Sequence, residues 1–197
     1  MGRKDKEKYL LAFILVILGI LSRTVFHIGD NVEFVTSATL LSAAYLGKKY
    51  ALVVPFFIMA VTDVLIGNTN IFMFTWSGYI VIGLMGILKL NFKSKAAGER
   101  NLVFKLLTAG GVGIAASFWF YLWTNFGVWF LDNWGMYPRT LSGLVDAYIL
   151  GLPFFKYNLI GNVVLVPISF FTAETIKTFL SSLNFSGIKL NHKAREN

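Results

Sequence analysis

Apolar residues run along this chain in long blocks, roughly 9–28, 32–47, 50–66, 71–90, 102–130 and 153–176, separated by short polar connections. A helix rises about 1.5 Å per residue and a bilayer's hydrocarbon is about 30 Å thick, so about 20 apolar residues make one crossing. The pattern predicts an all-α integral membrane protein with six transmembrane helices. It forms one membrane domain, 9–176, between basic tails at 1–8 and 177–197. Block 32–47 departs from the rest: it is short and carries Thr36, Ser37, Thr39 and Ser42. It must be sheltered by its neighbours or cross a thinned region.

A second period appears before the last block. Leu141, Leu144, Val145, Tyr148, Ile149 and Leu152 recur at i, i+3, i+4, i+7, i+8 and i+11, one face of a helix. Over 140–152 this predicts a short interfacial helix lying flat ahead of the sixth span. Ser142, Gly143 and Asp146 fall on its other face, Pro138 sets the approach, and Thr140 stands where an N-cap belongs.

Composition agrees with the pattern. Hydrophobic residues make up 56% of 197 and charged residues 14%, and mean hydropathy is +0.65, which excludes a soluble domain with a polar surface. Cysteine is absent, so neither a disulfide framework nor thiolate chemistry is available. The first block follows MGRKDKEK and has no small-residue cleavage site after it; it reads as an uncleaved first helix.

The net charge of +8 acquires meaning through its distribution. On the six-span reading, 15 of the 18 basic residues fall on one side, in the two tails, at Lys48 and Lys49, and between Lys89 and Lys105. The exceptions are Arg23, Arg139 and Lys156. Positive loops stay in the cytoplasm, so both termini are expected there, in a multi-pass protein of the cytoplasmic membrane. The bases then anchor topology and meet anionic lipid, and nucleic acid is not an expected partner.

Ionisable residues inside a bilayer are costly and are paired or functional. Arg23 lies 15 residues after Lys8 and Asp63 lies 14 after Lys49, which puts both about 21–22 Å above the basic side. Asn162, 15 residues before Lys177, reaches about 22 Å. This predicts a polar layer with an Arg23–Asp63 ion pair and Asn162 nearby. The pair can staple helices 1 and 3 or floor a ligand site. Lys156, Asn158 and Asn162 would descend from the outer boundary as a polar ladder facing other helices.

Four of the five tryptophans fall within 118–162, which fits an interfacial aromatic belt and equally an aromatic ligand wall. The run AGGVGIAAS at 109–117 spaces Ala109 with Gly113 and Gly111 with Ala115, a small-residue face for close helix contact. Other chemistry is thin. His27 and His192 fall on opposite sides, so no histidine metal site is expected. Asp30, Glu33, Asp132 and Asp146 read as solvated loop carboxylates. Neither a Walker motif nor a grouping of nucleophile, base and oxyanion donors is present, so neither cofactor nor enzymatic activity is expected.

The stretches NVEFVTSATLLSAAYLGKKYALVVPFFIMAVTDVLIG, TNFGVWF, MYPRTLSGLVDAYILGLPFF and NLIGN resemble a family of small uncharacterised bacterial membrane proteins. That family is itself similar to the substrate-binding S components of energy-coupling factor (ECF) transporters. The shared marks fall on Asn31 to Val35, Ala38 to Gly47, Asp63, Thr124 to Trp129, and Tyr137 to Leu144. The resemblance implies six helices with cytoplasmic termini and a vitamin-like small molecule held near the outer face. It also implies a membrane coupling subunit and an ATPase pair as partners. Many S components dock that subunit through Ala-x-x-x-Ala on helix 1, where this chain has only Ala12, Gly19 and Ser22.

The expected site lies between the outer ends of helices 4 to 6. Asp63 and Asn162 form its floor and Trp76, Tyr79, Trp123, Asn125 and Trp129 its wall, with Asn31, Tyr137, Lys156 and Asn158 as further expected ligand-binding residues. The other reading is a scaffolding membrane protein of the rod-shape accessory type, which needs no pocket.

Overall fold

The computed structural model describes residues 2–26, 31–67, 70–90, 101–132 and 135–193, with side chains for all of these except 3, 4 and 183–193. The elements are α1 (Arg3–Thr24), α2 (Val35–Leu46), α3 (Lys48–Ile66), α4 (Phe72–Lys89), α5 (Leu102–Leu131) and α6 (Leu141–Lys193). Among the described residues, four helices are long and apolar enough to cross a membrane: α3, α4, α5 and the Leu141–Ser182 part of α6. Every regular element among the described residues is a helix, and the chain is a multi-pass membrane protein. In α1, Lys8 and Arg23 confine the uncharged stretch to Tyr9–Ser22.

Local chemistry explains the boundaries. The last turn of α2, Ser42–Leu46, is π-helical and closes with the Gly47 N–H on the Ser42 carbonyl at 2.9 Å. Gly47 has φ 113° and ψ −180°, a conformation open essentially to glycine alone, and it starts α3 at the very next residue. Asn101 caps α5, its side chain accepting from the Phe104 N–H at 2.8 Å. Thr140 caps α6 in the same way, accepting from the Gly143 N–H at 3.2 Å.

α2 is the hub. All of Val35–Leu41 is buried, and the helix packs against each of the other five. The core adds Ile58 and Met59 of α3, Tyr79 and Ile82 of α4, Ala109 and Ala116 of α5, and Val166 and Phe170 of α6. At 12 residues, about 18 Å, α2 is shorter than the hydrocarbon is thick, and its neighbours supply the shelter.

α5 and α6 form a long antiparallel pair. Ala109 and Gly113 of the small-residue run are buried, Gly113 lying against Val166; Gly111 and Ala115 face outward. Further along, the Tyr121 hydroxyl donates to the Tyr148 carbonyl at 2.7 Å, the Tyr148 hydroxyl donates to the Leu122 carbonyl at 3.2 Å, and Gly151 abuts the Asn125 amide.

This pairing corrects one expectation. Residues 140–152 do not form a separate interfacial helix, because α6 runs unbroken from Leu141 through Pro153 and Pro167 to Lys193. A proline removes one helical hydrogen bond, and the continuous surface of α5 holds both flanks of Pro153 in line. The packed face is Gly143, Ala147 and Gly151, while Leu141, Val145, Ile149 and Leu152 point away from the bundle. The 42 residues of Leu141–Ser182 span about 63 Å, twice the hydrocarbon thickness, so α6 extends beyond it.

Candidate functional site: a buried guanidinium with two carboxylates

Arg23 occupies the last turn of α1 and is only 8% exposed. Its Nη1 is crowded by three acceptors of α3: Asp63 Oδ1 at 3.0 Å, Thr62 Oγ1 at 2.6 Å and Met59 Sδ at 3.0 Å. Thr62 is free to accept because its own hydroxyl donates to the Ile58 carbonyl. The other oxygen of Asp63 takes the Trp76 Nε1–H at 2.7 Å, which ties α4 to the same charge. Tyr79, one turn along α4, is buried at 3% exposure. Sequence depth put Arg23 and Asp63 at one level, and the structure brings them into contact.

Glu33 is the member that sequence reasoning missed. Expected among the solvated loop carboxylates, it lies with Oε2 3.1 Å from Arg23 Nε and its side chain 24% exposed. The loop is pinned there by the Phe34 N–H donating to Ser22 Oγ at 3.1 Å. Loop residues have no periodicity from which to read a depth, so only the fold could place Glu33. His27, Asp30, Trp134 and the 4–5 connection with Lys93, Lys95 and Arg100 lie outside the described residues.

Asn162 joins a different set. It is 2% exposed, and its Nδ2 donates to Ser117 Oγ of α5 at 2.8 Å and to Asn158 Oδ1 at 3.2 Å. Asn158 in turn donates to the carbonyl of Asn31, a residue in left-handed backbone at φ 59°. The ladder therefore faces α5 and the α1–α2 loop. Its remaining member, Lys156, stands exposed on a shallow groove of about 620 Å³ along α6, beside Ile149, Pro153 and Tyr157.

The aromatic residues form a seam. Trp119 and Trp123 stack at 5.4 Å and 14°, Trp123 and Phe126 at 5.9 Å and 17°, and Phe126 and Phe130 at 5.7 Å and 16°. Phe74 of α4 packs on this stack and on Gly127, so the α4–α5 interface is filled where a pocket was expected. Each described indole N–H has a protein acceptor: Trp119 on the Gly78 carbonyl, Trp123 on Ser77 Oγ, Trp129 on the Pro138 carbonyl, and Trp76 on Asp63. Asn125 Nδ2 turns back to the Tyr121 carbonyl. Tyr137 is buried at the α5–α6 turn, with its N–H on Asp132 Oδ1 at 3.1 Å. Trp123, Asn125, Trp129 and Tyr137 thus lie along α5 and at the α5–α6 turn, apart from the Arg23 cluster.

A second buried ion pair lies towards the other end of the bundle. Lys105 Nζ donates to Glu174 Oε2 at 3.0 Å, and the Tyr45 hydroxyl donates to Glu174 Oε1 at 2.8 Å. Sequence reasoning treated Lys105 as an anchor, although Glu174 as an acid three residues before Lys177 in an apolar helix was the clue.

Neither a curated protein nor a solved structure matches this chain. A family described as a family of unknown function, DUF6580, matches residues 3–183, and the chain belongs to that family.

Proposed function

We propose that the protein is the ligand-capturing membrane subunit of an ECF-type uptake system, with a vitamin-like small molecule as cargo. In this reading α1 and α2 complete six crossings, both termini are cytoplasmic, and the Arg23 cluster lies on the outer side of the cytoplasmic membrane. The coupling subunit and the ATPase pair act from the inner side, and the chain itself performs no covalent chemistry.

The observation that carries this reading is the cluster of buried Arg23 and Asp63 with half-buried Glu33 and Trp76. It sits where α1 ends at Thr24 and α2 has yet to begin at Val35, so two helices stop short while α3 continues to Ile66. Charges at this depth are costly, and one ion pair would suffice to staple two helices. The filled α4–α5 aromatic seam favours the scaffolding alternative, since a solid interface there needs no cargo.

Thermal unfolding of the purified protein against a panel of water-soluble vitamins separates the two. Capture requires stabilisation by at least one compound, about 2.7 kcal/mol at 100 times its Kd. A flat response across the panel favours scaffolding. Orientation is tested in this cysteine-free chain with an impermeant maleimide applied from outside. Arg139→Cys should label and Lys49→Cys should not; equal labelling overturns the topology.

A further inference from the structure

A guanidinium offers two edges, and in Arg23 they are used unequally. Three acceptors compete for the two hydrogens of Nη1. On the opposite edge, Nε and Nη2 point two parallel N–H groups in one direction, the geometry that receives a carboxylate through two hydrogen bonds. Nε is fully buried and makes no hydrogen bond, although Glu33 Oε2 is 3.1 Å away, because the angle is wrong. Nη2 has no hydrogen-bond partner among the described residues. A buried donor left without a hydrogen bond is costly, more so when it is charged.

Glu33 differs from Asp63 in how it is held. Asp63 sits in the middle of a helical surface and is 2% exposed, with Arg23 and Trp76 each donating to one of its oxygens. Glu33 is held at 3.1 Å by charge alone, from a short loop, and is the more exposed carboxylate. It neutralises the edge without filling its hydrogen bonds.

We propose that the Nε/Nη2 edge of Arg23 is a receptor for the carboxylate of a small-molecule ligand, and that Glu33 holds its place until the ligand displaces it. The proposal rests on the ligand-capture reading and narrows it to carboxylate-bearing compounds. Charge balance supports the exchange, since one carboxylate leaves Arg23 as another arrives. Asp63, Thr62 and Met59 keep Nη1 fixed, so the fork is already oriented. An ammonium ligand has no donor-accepting group to offer this edge and would leave both N–H groups unmade.

Chemical rescue tests the proposal directly. Glu33→Ala removes the place-holder and leaves the edge empty, and the purified variant is titrated with sodium acetate against sodium chloride at equal ionic strength. Acetate should raise its Tm saturably, while wild type, whose edge is occupied, responds at least tenfold more weakly at the same concentration. Glu33→Gln, which keeps the side chain's size, serves if the alanine variant does not fold. Arg23→Lys in the Glu33→Ala background keeps the charge and loses the fork; it should abolish the acetate response. A folded Glu33 variant with equal responses to acetate and chloride overturns the carboxylate receptor, even where a vitamin in the panel stabilises wild type. Acetate rescue that persists in the Arg23→Lys background overturns it as well. Nicotinate against nicotinamide, a carboxylate and its neutral amide, extends the test to larger ligands: stabilisation of Glu33→Ala by nicotinate alone supports the receptor, and equal effects of the two overturn it.

Discussion

α2 and α6 are opposites in both sequence and placement. α2, VTSATLLSAAYL, is the shortest helix and, for its length, the richest in serine and threonine, yet Thr36, Ser37, Thr39 and Ser42 are all buried and the helix touches every other one. α6 is the longest, and most of its bulky residues, Ile160, Val163, Val164, Ile168 and Phe171 among them, point outward; inward it presents Gly143, Ala147, Gly151, Asn162 and Val166, with Phe170 as the one large side chain of this set that reaches the core. In water this would be inside out. In lipid, bulky apolar side chains lose nothing by staying outside, so packing selects small residues that permit close approach and polar residues that find partners. Two of the α2 hydroxyls meet that condition locally, Thr39 donating to the Val35 carbonyl and Ser42 to the Thr39 carbonyl, both at 2.8 Å, whereas the buried Ser37 Oγ has no hydrogen-bond partner among the described residues.

If this contrast is right, damage should follow burial and partnering, and hydrophobicity should matter little. The largest effect is expected at the charge cluster beside α2. Asp63→Ala leaves Arg23 with Glu33 as its counter-charge, takes the acceptor from Trp76 and should cost about 3–5 kcal/mol, whereas Arg23→Ala combined with Asp63→Ala should cost less than Asp63→Ala alone. Reversible unfolding in mixed micelles gives the comparison, and additive losses would break the coupling. The presence of Glu33 sharpens the expectation: in the double variant it keeps access to solvent, so adding Glu33→Ala should change stability by under about 1 kcal/mol.

Overpacking the hub comes next. Ala44 of α2 is fully buried, and Ala44→Leu should cost about 1–3 kcal/mol in the same assay although it makes α2 more apolar. A neutral result would show that α2 is loosely held. Smaller again is Asn162→Leu, which removes the bond to Ser117 and leaves that hydroxyl its bond to the Gly113 carbonyl; about 0.6–2 kcal/mol is expected. The smallest effects belong to the outward face of α6. Val164→Ala and Ile168→Ala should stay within about 0.5 kcal/mol despite removing apolar atoms. A loss comparable to Ala44→Leu would mean that this face packs against a protein partner, and crosslinking at position 164 would then identify it.

Several features were legible in the linear chain because they depend on local periodicity or on distance along a helix. The apolar runs mark the helices, and residue counts from the lysines put Arg23 and Asp63 at one depth. The four-residue spacing of Ala109 and Gly113 marks a contact face, and Thr140 stands one residue before α6. What fails is anything that depends on which surfaces meet. The division between 140–152 and the block from 153 failed because the support α5 gives to a continuous helix across Pro153 is not readable from the chain. Asn162 shares a level with Asp63, but depth carries no azimuth, and its helix turns it to Ser117.

The sequence by itself determined that this is a multi-pass, helical membrane protein of small-residue contacts and few intramembrane charges, because hydrocarbon thickness and backbone hydrogen bonding leave no other use for such blocks. Only the tertiary structure decided that the most polar block is the hub, that α6 is continuous, and that Glu33 and Asp63 share one arginine. Lys105 meets Glu174 across 69 residues of chain, and Arg23 meets Asp63 across 40. Such pairings are properties of packed surfaces, which the order of residues constrains but does not spell out.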